Sequence, residues 1–217
     1  MSDFETLKNK NPELPFFRVT DEEFSKYGRV LEIESKEIVS IAERIKKPES
    51  GIVYVASLEE LEKGEYFQFL QKECFGQISI QVGYCAGQSK RMNAMEWHNC
   101  NEINIGVTSA VLLLAHYNDL KNGTLDSSKV KAFYLEKGQA VEVYAMTLHY
   151  CPCQTCEDGF CTIVALPLGT NLPLDEPAKD CLLCAKNKWL IAHVENETKI
   201  KQGAVAGITG KNFEIKY

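Results

Sequence analysis

The chain has 217 residues, of which 45% are hydrophobic and 25% are charged, which is ordinary for a soluble globular protein. Its net charge of −6 comes without a basic patch, and this argues against a nucleic-acid partner, because such partners require clustered Lys and Arg. No apolar run is long enough to span a membrane, and the first residues lack the pattern of a signal peptide. We therefore expect a cytoplasmic protein with neither a nucleic-acid nor a membrane partner.

The N-terminal residues predict an arm followed by short helices. Residues 1–20 contain two prolines and read as an irregular arm. The stretch Thr20-Asp21-Glu22-Glu23 is typical of a helix start with an acidic first turn, and this helix would end near Gly28. Residues 36–46 place their apolar side chains at helical spacing. Residues 1–50 are therefore predicted to form an N-terminal arm and helices.

From residue 51 onwards, the sequence predicts short strands separated by turns. Apolar and polar residues alternate in several of these runs, as they do in half-buried strands. Strands are predicted over 51–55, 78–84, 96–106, 110–117, 131–135, 140–149 and 160–167, and residues 188–193 form one more apolar run. Turns are predicted at Asn122-Gly123, at Lys137-Gly138 and through the Gly-rich residues 203–210.

Consecutive strands with short turns are typical of an antiparallel sandwich or barrel. We predict a mainly β chain that forms one domain over residues 1–217. In this domain a β-barrel with a C-terminal extension, residues 51–217, follows the N-terminal segment. A small barrel of this kind has an interior that can hold one ligand.

Two predicted strands carry residues that ligate metals. In a strand, alternate side chains point to the same face, so Glu96, His98, Cys100 and Glu102 would share one face. His149 lies in phase on the strand over 140–149 and would join them if both strands line one cavity. Two imidazoles with one or two carboxylates form a ligand set for a divalent metal with open positions. The alternative interpretation is that these charged residues form the solvent-exposed face of a half-buried strand.

The nine cysteines suggest a second type of site. Their number is odd and no export signal is present, so reduced thiols are expected. The pairs Cys153/Cys156 and Cys181/Cys184 each have the Cys-x₂-Cys spacing of a zinc site, and Cys151 and Cys161 lie near the first pair. The favoured interpretation is that these cysteines are separate thiols in loops and in the core.

Residues in both predicted strands resemble the motifs of the cupin superfamily. The first cupin motif is His-x-His followed after three or four residues by Glu, and Glu96-x-His98-x₃-Glu102 matches it except that Glu replaces the first His. The second motif places a His eleven positions after a Gly, as Gly138 and His149 do. The Pro, inner Gly and Asn of that motif are missing. Residues 50–215 resemble an uncharacterised bacterial cupin-type family, distantly related to ureidoglycolate lyases and cupin sugar isomerases.

This resemblance implies a jelly-roll barrel with a metal inside it. Its ligands would be His98, Glu102 and His149, with Glu96 as a fourth ligand or as the catalytic acid/base. The cofactor would be one divalent ion, namely zinc, manganese, iron or nickel. Cupin-type barrels often pair, so a homodimer is expected by analogy.

The implied function is that of a metal-dependent enzyme acting on a small polar molecule. Isomerisation or epimerisation of a sugar or sugar acid is the first hypothesis, and a lyase acting on a ureido or hydroxy acid is the second. A barrel that binds a metabolite without converting it is the third. Tyr150, Lys188 and His193 are the predicted substrate-binding residues, since Tyr150 would donate to an oxyanion and Lys188 would neutralise an acidic group. The alternative interpretations, which we favour for these two residues, are a solvent-exposed turn for Lys188 and a structural role for His193.

Overall fold

A computed structural model describes residues 3–217 of the chain. Its helices are α1 (Phe4–Lys10), α2 (Lys36–Ala42), α3 (Gly64–Phe69) and α4 (Glu197–Lys201). Its strands are β1 (Phe16–Arg18), β2 (Gly28–Leu31), β3 (Ile52–Val55), β4 (Ile80–Gly87), β5 (Ala94–Trp97), β6 (Glu102–Gly106), β7 (Ala110–His116), β8 (Leu125–Asp126), β9 (Lys131–Leu135), β10 (Ala140–Val143), β11 (Thr147–Leu148), β12 (Cys153–Gln154), β13 (Phe160–Pro167), β14 (Leu183–Ala185), β15 (Lys188–His193) and β16 (Val205–Thr209).

The strand order is that of a jelly roll. One sheet runs β2-β10-β6-β13-β4-β3, and the facing sheet runs β1-β9-β7-β11. A bridge between Glu96 and His149 continues the second sheet from β11 to β5. The four strands β4-β13-β6-β10 therefore face the four strands β5-β11-β7-β9, which is the arrangement of two interlocking Greek keys. The prediction of a mainly β, cupin-like jelly-roll barrel is confirmed.

The barrel core follows from alternation along the strands. Leu112 and Leu114 of β7 pack with Phe133 of β9 and with Val141 and Val143 of β10, all buried between the two sheets. The intervening side chains of each strand point out of the barrel. Helices cover the outer face of one of the two sheets. A strand that is buried on both faces reads as a continuous apolar run.

Strand β13 is an example of such a run. Its Ile163 and Ala165 pack in a cluster with Ile38 and Val39 of α2, whereas Phe160 and Val164 face a different cluster on the other side of the sheet. The helical N-terminal segment thus covers the outer face of the barrel.

Residues 3–50 contain more regular structure than the sequence predicted, and residues 1–2 of the predicted arm lie outside the described part of the chain. Within the predicted arm, α1 begins where the Asp3 side chain accepts a hydrogen bond from the amide of Thr6 at 2.8 Å, which is an N-cap. The helix predicted to end near Gly28 is a 3₁₀ helix over Glu22–Lys26. Strands β1 and β2 extend the edges of the two sheets, because β1 pairs with β9 and β2 with β10. Within residues 3–217, no helix is long and apolar enough to cross a membrane.

Two predicted strands are each broken into two. The strand predicted over 96–106 forms β5 and β6, and the strand predicted over 140–149 forms β10 and β11. The second break contains Met146 at φ 65, a left-handed conformation that interrupts a strand. The amide of Ala145 in this break donates to the Asn101 side chain at 2.8 Å, so the two breaks bond to each other.

The Gly-rich prediction of turns over 203–210 is wrong for most of that stretch. Strand β16 occupies Val205–Thr209 and pairs in parallel with β15 and β8. A Cβ at Gly207 would lie 2.7 Å from Cγ2 of Ile191, so this glycine permits close packing of two strands rather than a turn.

Candidate metal centre

Four side chains from β5, β6 and the residues that directly follow β5 and β11 meet inside the barrel. Glu96 lies on β5, His98 directly follows it, Glu102 begins β6, and His149 directly follows β11. Ligand atoms of Glu96, His98 and His149 lie within 4.8 Å of one another. The Oε2 atom of Glu102 lies 3.4 Å from Nε2 of His98 and 3.5 Å from Nε2 of His149. All four residues are buried.

Backbone carbonyls fix the orientation of both imidazoles. Nδ1 of His98 lies 2.7 Å from the carbonyl oxygen of Asn187, and Nδ1 of His149 lies 2.9 Å from that of Thr147. A carbonyl oxygen only accepts hydrogen bonds, so Nδ1 carries the proton in each ring. Each Nε2 is then left to point into the barrel, which is the usual arrangement of histidines that bind metals.

These two Nε2 atoms are buried and have no hydrogen-bond partner among the described residues. Buried polar atoms are normally paired, so an unpaired set calls for an explanation. Ligand atoms about 2.1 Å from a shared metal lie about 3.0–3.5 Å from one another in tetrahedral or octahedral geometry. The distances of 3.4 and 3.5 Å from Glu102 to the imidazoles match this spacing, so the residues fit a divalent cation.

Glu102 and His149 shift the pKa of each other in opposite directions. Burial raises the pKa of Glu102, but the imidazoles of His149 and His98 outweigh this effect and hold it below its ordinary value. Burial lowers the pKa of His149, but the carboxylate of Glu102 outweighs this effect and raises it to about 9. A second contact orients Glu102, since its Oε1 accepts a hydrogen bond from the Asn104 side chain at 2.8 Å.

Glu96 has a different partner. Its Oε2 atom lies 2.5 Å from Nζ of Lys188, whose side chain is 20% exposed. Burial lowers the pKa of Lys188, but the adjacent Glu96 carboxylate outweighs this and raises it above its ordinary value. The two carboxylates of the cluster therefore have distinct surroundings, one facing imidazoles and the other facing an ammonium group.

A cavity of about 620 Å³ is lined by three members of this cluster, namely Glu96, Glu102 and His149. Of the predicted substrate-binding residues, Tyr150 and Lys188 line the cavity. His193 lies outside the cavity, because it is fully buried and both ring nitrogens bond to the backbone. Its Nε2 donates to the carbonyl of Gly210 at 3.2 Å, and its Nδ1 accepts from the amide of Glu195 at 3.2 Å. A substrate contact by His193 is therefore not supported.

No cysteine among the described residues belongs to the candidate ligand group, although Cys85 and Cys151 line the same cavity. The one group in residues 3–217 whose His, Cys, Asp and Glu atoms are placed to hold a metal contains no cysteine. Cys153 is buried in the core, and Cys181 and Cys184 are exposed, so the two Cys-x₂-Cys pairs do not form a zinc site. Cys100, expected on the face of Glu96, instead lies 3.1 Å from the Asn187 side chain.

Asn187 is the main residue of the site that the sequence did not reveal. Its carbonyl orients His98, and its side chain accepts from the amide of Asn99 at 2.9 Å. It lies at φ 56 in the turn between β14 and β15, a conformation that Asn adopts more readily than most residues. A turn over Lys186-Asn187-Lys188 could be read from the sequence, but the contact of Asn187 with His98 could not. The two residues lie 89 positions apart in the chain.

The fold and the cluster together define a cupin-type barrel with a candidate metal site. The chain belongs to the family described as a domain of unknown function (DUF4867), whose model matches residues 16–213. A search of curated proteins gave no match.

Among solved structures, the chain is similar to oxalate decarboxylase from Bacillus subtilis. A deletion mutant of that protein is 12% identical over 45% of this chain and 24% of its own, with a TM-score of 0.31. A structure described for its Mn(II) centres is 12% identical over 61% and 30%, with a TM-score of 0.32. The capsular polysaccharide assembling protein CapF from Staphylococcus aureus is 17% identical over 46% and 25%, with a TM-score of 0.35.

The chain thus spans less than a third of the length of these proteins. The assignment of the fold rests on the strand order, and any reaction must be argued from the residues of the site.

Proposed function

We propose that this protein is a metal-dependent enzyme that moves a proton on a small substrate, as an isomerase or epimerase does. The observation that carries the proposal is the pair of buried, unpaired Nε2 atoms of His98 and His149 beside the Glu102 carboxylate. A structural role would leave these atoms paired with protein groups. A cavity of about 620 Å³ beside them lies within the usual range for small-molecule sites.

In this proposal, His98, Glu102 and His149 hold one divalent cation. The bound cation would act as a Lewis acid on a carbonyl or hydroxyl oxygen of the substrate. The remaining chemistry falls to residues of the chain that line the same cavity.

Glu96 is the proposed acid/base of the reaction. Its Oε2 atom contacts Nζ of Lys188 at 2.5 Å, and a carboxylate in this position can accept a proton from a substrate carbon. Because the surroundings of the two carboxylates differ, Glu102 is assigned as a metal ligand and Glu96 as the proton acceptor. Tyr150 lines the same cavity and burial raises its pKa, so its hydroxyl stays protonated and able to donate to a developing oxyanion.

The first test is the metal content of the purified protein, measured by plasma mass spectrometry. The native chain is compared with a His98→Ala/His149→Ala double variant and with His116→Ala as a matched control. His116 is a suitable control because its Nδ1 accepts from the amide of Asn118 and it does not line the cavity. We expect about one metal per chain in the native protein and in the control, and none in the double variant.

Metal retained by a folded double variant would contradict the proposed ligands. The second test is turnover, with sugars, hydroxy acids and ureido acids offered to the metal-loaded protein. Glu96→Gln should abolish turnover while the metal remains bound. Tight binding of a compound without turnover by the native protein would instead favour a binding protein.

A further inference from the structure

The walls of the cavity point to a class of substrate. Leu112 and Leu114 of β7, Val143 of β10 and Val164 of β13 form part of its lining. They come from both sheets of the barrel, and each is buried. Part of the wall of the space beside the metal cluster is therefore hydrocarbon.

A hydrocarbon wall discriminates against sugars. A hydroxyl placed against it without a partner costs about 1–3 kcal/mol, and a sugar carries hydroxyls on nearly every carbon. An alkyl group gains about 0.8 kcal/mol for each CH₂ buried there. The part of the substrate that faces Leu112, Leu114, Val143 and Val164 is thus expected to be apolar.

The charged groups of the cavity favour an anion. Glu96 and Glu102 line it, and so do Lys188 of β15 and Lys199 of α4. The two carboxylates balance the two ammonium groups when the imidazoles are neutral. A divalent cation held by the cluster then leaves an excess of positive charge, and a substrate carboxylate would reduce it.

Lys188 is suited to receive that carboxylate. Its ammonium group is partly exposed to the cavity and already holds one carboxylate, that of Glu96, at 2.5 Å. An ammonium group carries three donors, so Lys188 can contact a substrate carboxylate without releasing Glu96. Lys199 adds a second positive charge from a different element of the fold.

We infer, on the basis of the function proposed above, that the substrate is a small carboxylic acid with an apolar body. It carries a hydroxyl or carbonyl oxygen next to the carboxylate, as in a branched-chain 2-hydroxy acid. Lys188 and Lys199 recognise the carboxylate, and the Leu and Val side chains of β7, β10 and β13 accept the alkyl group.

Isothermal titration calorimetry of the zinc-loaded native protein tests this inference. The probes are 2-hydroxyisocaproate, its uncharged amide, and D-xylose as a polyol of comparable size. We expect the acid to bind at least tenfold more tightly than the amide, with no measurable binding of xylose at the same concentration. Xylose binding as tight as that of the acid would overturn the inference.

Variants of the lysines supply the second readout. Lys188→Met and Lys199→Met keep the aliphatic stems and remove the charges, and each should weaken binding of the acid about tenfold or more. Lys186→Met is the matched control, because Lys186 pairs with Asp175 at 2.7 Å and does not line the cavity. Acid binding unchanged in both Lys188→Met and Lys199→Met would also overturn the inference.

Zinc analysis of the same samples separates the two proposals. A protein that takes up no zinc would contradict the proposed function. In that protein, a preference for the acid that is lost in Lys188→Met would still support the substrate class. A zinc-loaded protein that prefers xylose would instead contradict the substrate class and leave the metal site intact.

Discussion

Asn187 stabilises a turn, and its carbonyl orients His98, a proposed metal ligand. Replacing Asn187 by alanine therefore tests the metal site without changing a ligand. The residue lies at φ 56. Alanine in this left-handed conformation costs about 1 kcal/mol. Loss of the side-chain hydrogen bonds to Asn99, Cys100 and Thr170 costs about another 1–2 kcal/mol. We expect Asn187→Ala to lower the free energy of unfolding by about 2–3 kcal/mol.

The same replacement should weaken metal binding. Nδ1 of His98 contacts the carbonyl of Asn187 at 2.7 Å, and a shift of the turn moves this acceptor. Loss of such an orienting contact typically costs tenfold to a hundredfold in metal affinity. Asn187→Gly keeps the left-handed backbone at no strain, so it should lose only the side-chain bonds and retain more of the metal affinity than Asn187→Ala.

Urea unfolding and competition with a chromophoric zinc chelator measure these two effects. Asn122→Ala is the matched control, since Asn122 is an exposed residue at φ 51 in a turn away from the cluster. It should lose about 1 kcal/mol of stability without a change in zinc affinity. If Asn187→Ala binds zinc as tightly as the native chain, His98 is not positioned by this turn and the reasoning fails.

Two further predictions concern residues away from the metal. A Cβ added in Gly83→Ala would lie 1.8 Å from the carbonyl oxygen of Val55, so β3 must shift. The free energy of unfolding, measured in urea, should therefore fall by about 2–3 kcal/mol. An unchanged midpoint of urea unfolding would show that β3 moves aside without a loss of stability. His193→Ala removes a fully buried side chain together with its hydrogen bonds to the carbonyl of Gly210 and the amide of Glu195, which should cost about 2–4 kcal/mol. The metal content of His193→Ala should match that of the native chain, and loss of the metal would give His193 a role in the site.

The barrel strands were predictable from local pattern, whereas the cupin-like jelly roll was predicted from the resemblance of two motifs. Strands β7, β9 and β13 lie within one residue of the predicted bounds, and β15 covers the apolar run over 188–193. Each of these strands has a long apolar or alternating run that is visible in the local sequence. The turn at Asn122-Gly123 forms with both residues at positive φ, as a hairpin turn of this sequence requires.

Predictions failed where distant contacts override the local sequence. Strand β16 forms from Gly-rich residues because β15 and β8 supply its hydrogen-bond partners. Strands β1 and β2 likewise form against β9 and β10, more than 100 residues away in sequence. No window of sequence contains this information, because the pairing partner decides whether such a short stretch is extended.

The prediction that Glu96, His98 and Glu102 lie close together assumed that they share one face of a single strand. A straight strand would not bring these three side chains together. Six steps at 3.3 Å per residue would separate Glu96 from Glu102 by about 20 Å, which is too far for both to reach one cation. The chain instead bends after β5, where the amide of Asn99 bonds to Asn187, and Glu102 returns on β6. The close approach of the carboxylates to the imidazoles therefore depends on the bend. The sequence Asn99-Cys100-Asn101 in the bend indicates a turn, because Asn favours turns.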